Sequence, residues 1–160
     1  MAVNVLMVLL SWIHVLAVVV WLGGGIFFTF LVVPKLSVLS PPDAGKVSGG
    51  IAKQFTPLVW VSAVVLAVTG LIRMYLMGKL SISALLSDSY GNTLLLKLLI
   101  FVVIVIVAAL ITTTGQKLGN ASSPEEAGAL AKRVDQLAKT NIVLGAVVIL
   151  LAAGLRYGGF

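Results

Sequence analysis

The chain has 160 residues, 60% of them hydrophobic and only 10% charged, with a mean hydropathy of +1.17, and a soluble domain of this length carries far more surface charge. It has no cysteine, which excludes disulfides, thiolate metal sites and a cysteine nucleophile, and its single histidine, His14, excludes a multi-histidine metal centre within one chain. The net charge of +6 reads, in so apolar a chain, as basic loops facing an anionic leaflet rather than as a nucleic-acid footprint.

A helix needs about 20 apolar residues to cross the hydrocarbon core. Four stretches qualify, at about 5–33, 56–77, 93–115 and 141–157. Lipid leaves unpaired backbone groups unsatisfied, so each must be a helix. The expected fold is therefore an all-α integral membrane protein, a single domain over 1–160 built as a four-transmembrane-helix bundle. The first stretch lacks the basic flank of a signal peptide, is too long for one, and carries Trp12, His14 and Trp21, which suit a retained span.

Between the first and second spans, Ser40-Pro41-Pro42-Asp43 reads as a helix start, followed by Val47, Ile51 and Phe55 at helical spacing. Between the third and fourth, Ser123-Pro124-Glu125-Glu126 is a capping box with Glu126 reaching back, and Leu130, Val134 and Leu137 continue as an apolar stripe. Both connections are thus expected to hold short amphipathic helices at the membrane surface. The loop at 78–92 is polar, with Gly78 and Gly91 as breakers.

Orientation follows from the basic residues. Lys35, Lys46 and Lys53 lie in the first connection, and Lys117, Lys132, Arg133 and Lys139 in the third. The positive-inside rule then makes these two connections cytoplasmic and puts both termini outside, in a multi-pass protein of the plasma or inner membrane.

The motif Ser-Pro-x-[Asp/Glu]-Ala-Gly occurs at 40–45 and again at 123–128, an offset of 83 residues. Sliding the sequence by that offset superposes span one on three and two on four, and places His14 on Lys97 and Arg73 on Arg156. The expectation is two repeated helical hairpins, related by an axis along the membrane normal.

Ionisable groups inside spans are costly and mark functional sites by default. His14 lies about 9 residues, hence about 14 Å, into span one. Lys97, Arg73 and Arg156 enter spans three, two and four from the same side. The arginines and Lys97 also have a plainer use, snorkelling to the interface, and His14 a plainer one as an interhelical hydrogen-bond donor. Three cations and an imidazole suit an anionic ligand. Heme b fits, with His14 as the axial, metal-binding residue, Arg73, Arg156 or Lys97 pairing with the propionates, and Trp21 packing on the macrocycle. Copper is the alternative: Met7 and His14 share a helix face, Met74 and Met77 lie at the outer end of span two, and thioether and imidazole suit Cu(I). A structural membrane subunit without a ligand is the third reading. The spans carry no acidic residue, so a carboxylate relay is absent. No catalytic residue, triad or phosphate loop is visible, and an enzyme would have to be a heme-dependent membrane oxidoreductase.

Trp12-Ile13-His14-Val15-Leu16-Ala17, followed by Trp21-Leu22-Gly23-Gly24, resembles the first span of the copper-resistance-D (CopD) group, and 90–98, Tyr-Gly-Asn-Thr-Leu-Leu-Leu-Lys-Leu, resembles its third span. That group is similar in turn to HemJ-type membrane protoporphyrinogen oxidases, which bind heme b, and whose first-span histidine and third-span lysine correspond to His14 and Lys97. The resemblance implies copper handling or tetrapyrrole redox chemistry in the membrane, with a homo-oligomer or a membrane redox partner as the associated expectation. Where HemJ-type proteins often carry a further histidine, this chain has Thr112-Thr113-Thr114.

Overall fold

The structure, a computed structural model, describes residues 5–160 apart from the side chains at 41 and 42. Among the described residues there is no strand. Four helices are long and apolar enough to cross a membrane: α1 (Val5–Val38), α2 (Pro41–Leu76), α4 (Ser89–Gly119) and α5 (Pro124–Leu155). A single helical turn, α3 (Ile82–Leu85), sits in the loop between α2 and α4. The four-helix expectation therefore holds.

The connections differ from expectation in one respect. Their amphipathic segments are helical, but they are the opening turns of α2 and α5 rather than separate helices. The starts are as read: Ser40 accepts from Asp43 N–H at 3.4 Å, and Ser123 from Glu126 N–H at 3.2 Å. Glu126 reaches back to the N–H of Ser122 (2.9 Å), one residue before the cap. Nothing after either cap breaks the run. Pro57 lies inside α2 and only removes one N–H donor. At about 1.5 Å per residue, 36 residues of α2 span about 54 Å, well beyond a hydrocarbon core of about 30 Å.

α1 is irregular where α2, α4 and α5 are not. It widens to π-type turns at Val19–Gly23 and Phe28–Val32 and tightens to a 3-10 helix over Val33–Val38. The glycine run Gly23-Gly24-Gly25 sits among these wide turns. Gly24 is the close-approach position, since a Cβ there would collide with the ring of Phe55.

Consecutive spans run antiparallel. His14 pairs with Thr69, Ala17 and Leu66 share one core cluster, and Gly24 faces Phe55, so α1 rises as α2 descends. α4 and α5 make the most extensive of the helix contacts. The bundle thus has one end holding Val5, Phe160 and the 78–88 loop, here the terminal end, and another holding the Ser40 and Ser123 caps, the capped end. The core is layered along this axis. Ala17, Trp21, Leu22, Leu66 and Ile104 form the central layer, and Met74, Leu85 and Leu94 a second at the terminal end. Large apolar side chains such as Leu9, Val64, Val102 and Leu150 point outward, as a protein solvated by lipid requires.

The terminal end is tied by polar contacts. Asp88 caps α4 through Gly91 N–H at 2.6 Å and holds Lys79 at 2.8 Å. The last residue returns to the start of α4, where Phe160 N–H donates to Thr93 Oγ1 at 2.9 Å.

Candidate metal site around His14

His14 is half-buried on α1, one turn above the central apolar layer. Its Nδ1 lies 2.7 Å from Oγ1 of Thr69 on α2. Thr69 Oγ1 in turn lies 2.6 Å from the carbonyl of Val65. A hydroxyl has one proton, and two acceptors do not approach to 2.6 Å without one between them, so that proton belongs to the Val65 contact. The Thr69 oxygen must then accept, and Nδ1 of His14 is the donor. For the neutral ring this fixes the tautomer and puts the lone pair on Nε2. It is the arrangement by which metal-binding histidines are oriented: one ring nitrogen donates to a neighbour and the other faces the ion.

Gly70 lies beside the ring, where a Cβ would stand 3.9 Å from Cε1 of the imidazole, at ordinary van der Waals contact. Thr69, Gly70 and Arg73 occupy one face of α2, so the residue that orients the ring, a residue beside it and a cation arrive together. The charges of Lys97 and Arg73 both act on His14, and that of Arg73 on Lys97. The Nε of Arg73 is buried without a hydrogen-bond acceptor.

Three of the sequence-selected residues thus converge: His14, Arg73 and Lys97. The other two lie elsewhere. Arg156 is the exposed C-cap of α5. Trp21 is buried two turns along α1, in the central apolar layer. Thr69 is a participant the sequence did not single out; its signal was a hydroxyl one turn from Arg73 on the same helix face.

The methionines rise from this level toward the terminal end. Met74 lies four residues beyond Gly70, about 6 Å along the axis, and Met77 seven residues beyond, about 10 Å. Met7 is seven residues before His14 on the antiparallel helix, hence at the depth of Met77. Met74 is buried against Leu85 and Leu94, and the sulfur of Met77 accepts from the hydroxyl of Tyr90 at 3.5 Å. Among the described residues no group of three or more His, Cys, Asp or Glu side chains is placed to hold a metal.

The sequence matches the family model of copper resistance protein D over residues 49–155, about two thirds of the chain. The chain belongs to the CopD family. No curated protein and no solved structure gives a significant match. The CopD match takes in Thr69, Arg73, Met74 and Lys97, while His14 precedes it. It also bears on the two ligand readings. The family is described by copper resistance, so copper is the better-supported alternative, and the expectation of heme b, with the associated electron-transfer role and the link to HemJ-type proteins, finds no support.

Proposed function

We propose that this CopD-family protein carries copper through the membrane as Cu(I), with Nε2 of His14 as nitrogen ligand and the thioethers of Met74, Met7 and Met77 as the approach from the terminal end. The observation that carries the reading is the hydrogen-bonded chain from His14 Nδ1 through Thr69 to the Val65 carbonyl, which leaves Nε2 as the ring nitrogen open to a ligand. Imidazole and thioether are ligands that Cu(I) accepts. A site with few ligands holds its ion loosely, as a transit position must, since conduction needs binding weak enough to leave.

Lys97 and Arg73 oppose a bare cation. They suit a copper ion that arrives with an anionic ligand such as chloride, which cancels its charge and supplies an acceptor for the unpartnered Nε of Arg73. The test is uptake into proteoliposomes under reducing conditions, with external Cu(I) and a chelator inside. Saturable uptake by the wild type, lost in His14→Ala and reduced in the volume-conserving Met74→Leu, is expected. Uptake unaffected by either substitution would remove His14 and the methionines from the path.

A further inference from the structure

A cavity of about 170 Å³ lies in the capped half of the bundle, bounded by all four long helices. It is on the far side of the central apolar layer from His14, and the copper reading makes no use of it. Its walls are mainly apolar and include the aromatic residues Trp21, Phe28 and Phe55. Its polar content is an amide, Asn141, and threonine hydroxyls. Asn141 is 7% exposed, and its Oδ1 is buried with no hydrogen-bond donor. An unpartnered buried acceptor is costly to leave unsatisfied. Its last torsion is soft, so the amide oxygen can turn toward a donor entering the cavity. Thr112 cannot be that donor, because its hydroxyl proton goes to the carbonyl of Ala108 at 3.0 Å.

We infer that this cavity is a binding site for a small, neutral, lipid-soluble aromatic molecule with a hydroxyl donor, such as a hydroquinone or phenol, whose ring lies against Trp21, Phe28 and Phe55 and whose hydroxyl donates to Asn141. The size agrees, since an apolar cavity of about 150 Å³ holds a benzene ring. The lining agrees too: mostly apolar and aromatic walls with one placed polar group are how small-molecule sites are built. Charged ligands are disfavoured, because no ionisable side chain lines the cavity. Gly25 and Gly115 form part of the wall, and a Cβ built on either meets no protein atom within 4 Å. A side chain added at either position therefore meets no protein atom at its Cβ, and a leucine at Gly115, a wall position, is the means of filling the cavity.

The test uses the full chain in detergent with Trp12→Phe and Trp60→Phe, leaving Trp21 as the sole indole. It is titrated with a bromine-substituted hydroquinone bearing a short alkyl tail, because bromine quenches indole fluorescence only near contact. Saturable quenching is expected, abolished by Gly115→Leu and weakened about tenfold by Asn141→Leu, the loss of one buried hydrogen bond. The dimethyl ether of the probe, which has no donor, should bind the parent about tenfold more weakly. Circular dichroism and gel filtration establish that each variant is folded, and the ether comparison needs no variant at all. Quenching that rises linearly and is unchanged in Gly115→Leu would mean partition into the micelle and overturn the site. Equal binding of the ether, or full relief of quenching by a simple unbrominated alkane, would mean a slot for acyl chains and overturn the assignment of an aromatic donor.

Discussion

The imidazole of His14 on α1 and the hydroxyl of Thr69 on α2 meet at 2.7 Å, with the threonine proton already committed to the Val65 carbonyl. One contact between two spans therefore decides which nitrogen of the chain's single histidine is open. A second residue of α2, Gly70, lies beside the ring. The proposed copper chemistry rests on this pair.

Removing the acceptor without altering shape should loosen the ring. Thr69→Val keeps the branch and deletes the oxygen that holds Nδ1–H. Partners of this kind are worth about 10–100-fold in metal affinity. Cu(I) affinity, measured by competition with a chromogenic chelator, should fall by that factor in Thr69→Val and recover in Thr69→Ser. Equal affinity in all three would mean that Thr69 does not orient the ligand.

If Arg73 and Lys97 accept copper together with an anion, uptake depends on that anion. Replacing chloride with gluconate should slow Cu(I) uptake by the wild type several-fold. The double variant Arg73→Gln, Lys97→Gln should be slow in both media. Faster uptake by the double variant would show that the two cations only repel copper.

At the opposite wall of the bundle, Gly145 marks a close approach of α5 to α1. A Cβ there would stand 2.9 Å from Leu22 and 3.2 Å from Trp21. Gly145→Ala should therefore destabilise by about 1–3 kcal/mol through overpacking, read as a lower unfolding midpoint in detergent. An unchanged midpoint would show that the two spans do not pack at this distance.

The loop at the terminal end should be acid-sensitive. Hydrogen bonding from Lys79, and then from the Gly91 N–H, holds the Asp88 carboxyl below its ordinary value of 3.8. A carboxylate whose pKa is lowered on folding contributes stability above its unfolded pKa and loses it as the pH falls through the folded one. Proteolysis of the 78–88 loop should accelerate below about pH 4 in the wild type. In Asp88→Asn, which can still cap α4 but cannot titrate, the loop should show no such step. A step in both would place the acid response elsewhere.

Much of this architecture was legible in the sequence because the bilayer imposes one simple rule, about 20 apolar residues per crossing. The helix starts were legible too, since Ser40 and Ser123 cap by local chemistry. Where those helices went was not. Caps specify a beginning, and only the absence of a breaker, read against tertiary packing, makes α2 and α5 continuous through the connections. His14, Arg73 and Lys97 could be selected because ions inside a membrane are rare. Arg156 has the same rarity but caps α5 in an exposed position, a matter of two residues at a helix end. Thr69 and Asn141 could not be selected, because hydroxyls and amides are common in spans and acquire meaning only from what stands opposite.

Membrane orientation has a clean test, because the chain has no cysteine. Single cysteines at Ser48 and Ser122 should resist an impermeant thiol reagent applied outside intact cells, and one at Ser83 should react. The reverse pattern would place the Ser40 and Ser123 caps outside and the copper approach on the cytoplasmic side.

The central claim, that His14 is a copper ligand alongside methionine sulfur, is tested most directly by X-ray absorption at the copper edge on the purified, Cu(I)-loaded protein. The account predicts one imidazole nitrogen together with sulfur scatterers, the nitrogen contribution disappearing in His14→Ala and the sulfur diminishing in Met74→Leu. A spectrum identical in wild type and His14→Ala would contradict it.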